Sequence, residues 1–114
     1  MELNKIISEL KLTVSACKDS VSNTVTGGYA SDLLSDVIAN AEEGDLWVTL
    51  QTHHNIIAVA SMKNLSGIIL VNGRKPEPDT LKKAEEENIP VLISDLPAFE
   101  LIGRLYNLGL SGMG

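Results

Sequence analysis

The sequence predicts an α/β protein, a three-layer α/β/α sandwich around a mostly parallel sheet. Apolar runs at Leu46–Leu50, Gly67–Val71 and Pro90–Ile93 begin about 21 to 23 residues apart, the spacing of a repeated strand-turn-helix unit. These runs are continuous rather than alternating, as expected of strands covered on both faces. Only four residues are aromatic (Tyr29, Trp47, Phe99 and Tyr106), which leaves Leu, Ile, Val and Ala to fill the layers.

Each element has its own signal. Leu3, Ile6, Ile7 and Leu10 recur at helical spacing and predict a helix over 2–11. A short extended piece follows at Leu12–Ala16, and the polar stretch Lys18–Asn23 reads as a loop. Thr24-Val25-Thr26 is β-branched enough to form a strand that runs into the turn-forming pair Gly27-Gly28. Leu33, Leu34, Val37, Ile38 and Ala41 restore the helical period, with Ser31 or Asp32 as cap and Gly44 as the end. Beyond the strand at 46–50, helices are expected at Asn55–Asn64, Leu81–Glu87 and Leu96–Leu108, separated by the strands at 67–71 and 90–93.

A chain of 114 residues is expected to form one domain, here 1–110, with 111–114 as a frayed tail. The net charge of −6 disfavours nucleic acid and anionic membrane surfaces as partners. Residues 1–57 hold three lysines against eight acids and residues 58–114 six bases against seven, so an anion would be better received by the second half. Cys17 is the single cysteine, which excludes an internal disulfide and a sulfur-based metal cluster. No apolar stretch approaches the roughly 20 residues of a membrane span, and no signal sequence is visible, so the cytoplasm is the expected location.

Chemistry in such folds gathers beyond the carboxyl ends of the strands. In this reading those ends are Thr26-Gly27-Gly28, Gln51-Thr52-His53, Asn72-Gly73 and Ser94-Asp95, with Asp32 beside them, and together they form the expected ligand cleft. Gly27-Gly28 suggests a phosphate loop, but it fits neither GxGxxG nor GxxxxGK[ST] and has no lysine, and Asp32 already answers the helix dipole. His53 and His54 are adjacent and cannot share a metal-binding helix face. Asp32 and Asp36, four apart, read as a solvated acidic face before a cation or acid/base pair. Asn72-Gly73-Arg74-Lys75 reads as a left-handed turn, with an anion contact as the functional alternative, and Arg104 is expected to pair with Glu100. No catalytic constellation, metal site or cofactor site emerges.

The stretch Val25-Thr26-Gly27-Gly28 followed by Ser31-Asp32-Leu33-Leu34-Ser35-Asp36, then Gly44-Asp45-Leu46-Trp47-Val48-Thr49-Leu50-Gln51-Thr52-His53, resembles the DRTGG domain family. Gly67–Gly73 and Ile89–Leu92 extend the resemblance, which covers residues 1–110. It implies a fold similar to the N-terminal domain of HPr kinase/phosphorylase. Related copies lie beside CBS domains in regulated pyrophosphatases, where they help form dimers, and beside phosphotransacetylase-like domains. Stand-alone members tend to be encoded near iron-hydrogenase and redox genes. The family has no established catalytic residues. Thr24-Val25 stands here where the family has the Asp-Arg of its name. The resemblance implies a non-catalytic regulatory or ligand-sensing homodimer, whose ligand would be a small molecule or nucleotide. The alternatives are a structural adaptor for a redox enzyme and, last, a small enzyme using His53 with an aspartate.

Overall fold

The structure, a computed structural model, describes residues 1–113. In chain order these form α1 (Leu3–Leu10), β1 (Thr13–Ala16), a 3-10 turn (Lys18–Ser20), β2 (Gly27–Ala30) and α2 (Leu34–Asn40). There follow β3 (Asp45–Thr49), α3 (Asn55–Met62), β4 (Gly67–Leu70), α4 (Pro78–Glu87), β5 (Val91–Ile93) and α5 (Ala98–Asn107). The sheet runs in the order β1-β5-β4-β3-β2. The pairs β2–β3, β3–β4 and β4–β5 are parallel, and β1 closes the far edge antiparallel to β5.

Strand alternation builds two cores. Trp47, Ile68, Leu70 and Val91 pack on one face with Val37, Ile56, Ile57, Val59, Ala60 and Ala84, the inward residues of α2, α3 and α4. Leu46, Val48, Ile69, Val71 and Leu92 pack on the other with Leu3, Ile6, Leu101 and Leu105 of α1 and α5. Because the chain advances across the sheet in one direction from β2 to β5, its three crossover helices share one face. Ile68 and Ile69 are both fully buried, one in each core, so truncating either to Ala is expected to cost about 2–5 kcal/mol. The predicted three-layer architecture is therefore the observed one.

The main departure lies at the glycine pair. Gly27 and Gly28 do not form a turn; they open β2, in register with Asp45 and Leu46. The β-branched triplet before them is spent elsewhere: Thr24 makes an isolated antiparallel bridge to Glu2, and the Thr26 N–H donates to the Gly44 carbonyl at 3.0 Å. Strand pairing is made by backbone groups, so an available edge on β3 outweighs the weak strand preference of glycine.

The cap of α2 also differs from expectation. Leu33 occupies the N-cap position without a side-chain hydrogen bond, and the helix ends at Ala41 in an extended conformation rather than at Gly44. α4 begins three residues earlier than its apolar pattern indicated, because Pro78 suits the first helical turn, where its missing N–H costs nothing.

Candidate functional site

Four turns meet at the carboxyl ends of the parallel strands. After β2 the chain passes through Ser31 and Asp32, and the Asp32 carboxylate reaches the end of β3: its Oδ1 accepts the Thr49 hydroxyl at 2.8 Å and the Leu50 N–H at 2.7 Å. The Gln51 side-chain amide returns a bond to the Asp32 carbonyl at 3.0 Å. Asp32 is thus a clamp between two strand ends, and the helix after it goes uncapped. Asp36 does not pair with it. Hydrogen bonds from the Ser31, Tyr29 and Asn40 side chains hold the Asp36 carboxyl below the usual carboxylate range.

The other two turns are tied to each other. Asn72 and Gly73 both have positive φ, 58° and 65°, and the Arg74 N–H closes the turn onto the Val71 carbonyl at 3.1 Å, so the left-handed turn read from the sequence is present. The Asn72 N–H donates to the Leu96 carbonyl at 2.9 Å and the Gly73 N–H to the Ser94 carbonyl at 2.7 Å. Asp95 lies against the turn, its Oδ1 3.2 Å from where a side chain on Gly73 would begin. Thr52 faces α4: its carbonyl accepts the Thr80 hydroxyl at 2.7 Å and the Glu77 N–H at 3.2 Å. The His53 Nδ1 accepts the Asn55 N–H at 3.1 Å, and the His53 and His54 rings are 4.0 Å apart and exposed. Among the described residues, no three His, Cys, Asp or Glu side chains gather as a metal site would require.

Asp32, Gln51, Thr52, His53, Asn72, Gly73, Ser94 and Asp95 therefore share one rim. Thr26, Gly27 and Gly28 do not belong to it. They lie at the amino end of β2, at the opposite end of the sheet, because the strand starts at the glycines instead of ending there. Among the described residues no hydrogen bond joins His53 to an aspartate, and its Nδ1 accepts from the backbone of its own turn.

On the α5 side of this rim is a hollow of about 200 Å³ lined by Ala30, Ser31, Asp32, Thr49 and Ala98 among others. A larger one of about 300 Å³ adjoins it along β2, between Gly28, Ala30 and Val48 on the sheet and Ile102, Leu105 and Tyr106 on α5. Sequence reading missed Thr49, Ala30 and Tyr106. A hydroxyl closing an otherwise apolar strand was the available signal for Thr49; Ala30 and Tyr106 carry none. At 111–113, the Ser111 carbonyl accepts the Gly28 N–H at 3.2 Å and the Gly112 N–H donates to the Tyr106 hydroxyl at 3.1 Å, closing the far end of the larger hollow; residue 114 lies outside the described residues.

The site thus sits on an α/β domain whose mostly parallel sheet winds in one direction from β2 to β5, with polar turns gathered at one end. The chain belongs to the DRTGG domain family, whose model matches residues 5–108. It is similar in structure to the CBS and DRTGG domains of the regulatory region of Clostridium perfringens pyrophosphatase, solved with the activator diadenosine tetraphosphate. The TM-score is 0.76 at 18% identity, over 97% of this chain and 48% of that one. The chain thus spans about half the length of that regulatory region. No curated protein sequence matches it. In the pyrophosphatase the CBS and DRTGG domains belong to the regulatory region. Among the described residues no helix is long and apolar enough to cross a membrane.

Proposed function

We propose that this chain is a cytoplasmic regulatory domain that senses a small molecule at the carboxyl ends of β2–β5. The observation that carries this reading is the hollow beside Asp32, lined by Asp32, Ser31 and Thr49 together with Ala30, Val48 and Ala98. Polar groups converging on a largely apolar depression are what a small-ligand site requires. The activator in the similar pyrophosphatase region makes nucleotides the first compounds to test. A ligand at 100 times its Kd stabilises its protein by about 2.7 kcal/mol, so a thermal-shift screen of nucleotides and central metabolites is the direct test. A screen in which no compound raises Tm would overturn the reading.

A homodimer belongs to the same proposal. Phe99 stands exposed on α5, where a second copy could cover it. Light scattering should give twice the chain mass, and Phe99→Ser should halve it.

A further inference from the structure

Resting on the ligand-sensing reading above, we propose that the slot between β2 and α5 is a ribonucleoside site, with the base in the larger hollow and the ribose diol on Asp32. The two hollows share Ala30 and Val48 in their linings, so they lie side by side along β2 from Gly28 to Asp32. On this face α1 and α5 cover the sheet, with α5 over β3, and the hollows lie between α5 and the β2 edge.

The larger hollow suits a flat ring. Its floor is Gly28, Ala30 and Val48 and its wall is Ile102, Leu105 and Tyr106. Gly28 has no positive φ, and a Cβ there would meet Leu110 Cδ2 and the Leu46 carbonyl at an ordinary 3.6 Å. Neither backbone conformation nor packing within the chain demands a glycine, yet its absent side chain keeps the floor low. The strand also offers polar groups to a ring edge. Ser31 donates its N–H inward to Val48, whereas Gly28 donates outward to Ser111, so by alternation Ala30 turns its N–H and C=O to the open edge. A heteroaromatic edge carrying both a donor and an acceptor is complementary to such a pair.

The smaller hollow selects what is attached to the ring. Among the described residues Asp32 is its one carboxylate and no lysine or arginine lines either hollow, so a phosphate would be repelled and a neutral group preferred. Asp32 Oδ1 is occupied by Thr49 and Leu50, which fixes the carboxylate and leaves Oδ2 to accept hydroxyls. An acidic side chain at the end of a parallel strand accepting from a ribose 2′-hydroxyl is a recurring solution in α/β folds.

The test is an amide-resolved NMR titration of the full chain with each of the four ribonucleosides, their 2′-deoxy forms and their 5′-monophosphates. At least one ribonucleoside should produce saturable shifts at Gly28, Ala30, Asp32 and Gly112. Its deoxy form should bind about tenfold more weakly, the equivalent of one charge-assisted hydrogen bond, and its monophosphate should bind no more tightly. Ala30 is exposed, so Ala30→Leu should fill the slot without unfolding the protein and should abolish the shifts. The proposal is overturned if no ribonucleoside gives saturable shifts, if Ala30→Leu leaves them unchanged, or if a phosphate tightens binding. Shifts confined to Gln51, Asn72 and Ser94 would also overturn it, while leaving the broader sensing function standing.

Discussion

The Thr49 hydroxyl donates to the Asp32 carboxylate at 2.8 Å, joining the last residue of β3 to the turn after β2. Thr49 is 2% exposed, so water cannot replace its partner. Asp32→Ala should orphan this hydroxyl and the Leu50 N–H together and lower stability by about 1–3 kcal/mol. Asp32→Asn keeps an acceptor oxygen and should cost less. Denaturant unfolding of both variants checks the order; equal stability of Asp32→Ala and the parent would show the clamp to be idle.

Asp36 gives the site region a pH dependence. Side-chain bonds from Ser31, Tyr29 and Asn40 favour its charged form, so its folded pKa lies below its unfolded one. The resulting stability is present above about pH 4, the unfolded carboxylate range, and fades as pH falls through the folded value. Asp36→Asn should therefore lower Tm at pH 7, and the gap should close in acid. Thermal melts across this pH range test it; a gap that persists undiminished at the acid end would contradict the assignment.

Cys17 should be an unreactive thiol. Burial first, and then the Glu85 carboxylate, push its pKa up to about 11. Its Sγ donates to the Ala84 carbonyl at 3.1 Å. Thiolate is the reactive form, so labelling by a disulfide reagent at pH 8 should be slow in the native protein and rapid after denaturation. Fast native labelling would mean that the Cys17–α4 contact opens readily.

Gly103 lies inside α5 with nothing within 4 Å of the place a Cβ would occupy and with no positive φ. Gly103→Ala should stabilise the monomer by about 1 kcal/mol, because alanine loses less backbone freedom in a helix. If α5 also packs against a second copy, the same change should weaken the dimer. Unfolding and mass measurements on one variant separate the two effects.

The aliphatic layers were legible because they obey local periodicity. Leu46–Leu50, Gly67–Val71 and the amphipathic 2–11 and 96–108 segments fall within a residue or two of the observed elements. Gly27–Ala30 was not legible, since two glycines carry no side-chain signal and their strand exists only because β3 presents an edge. Local pattern places Thr26, Gly27 and Gly28 on the rim, where the strand instead begins, and marks Asp32, which does lie in the turn. Its role was read as dipole-facing, because a bond from Asp32 to Thr49, 17 residues away, has no trace in local spacing. The hollow under α5 was equally hidden: Ala30, Val48 and Tyr106 become neighbours only when the layers stack.

The pairing of β1 with β5 has a consequence for how the molecule comes into being. Thr13 and Val14 find their partners at Ile93 and Leu92, so the first strand made must wait for the last. During synthesis, β2 to β5 can add to one another as they emerge, each beside its predecessor. Residues 13–16 cannot complete their ladder until some 80 more residues have been made. The antiparallel edge thus works as a completion signal, latching the N-terminal segment only once the whole sheet is present.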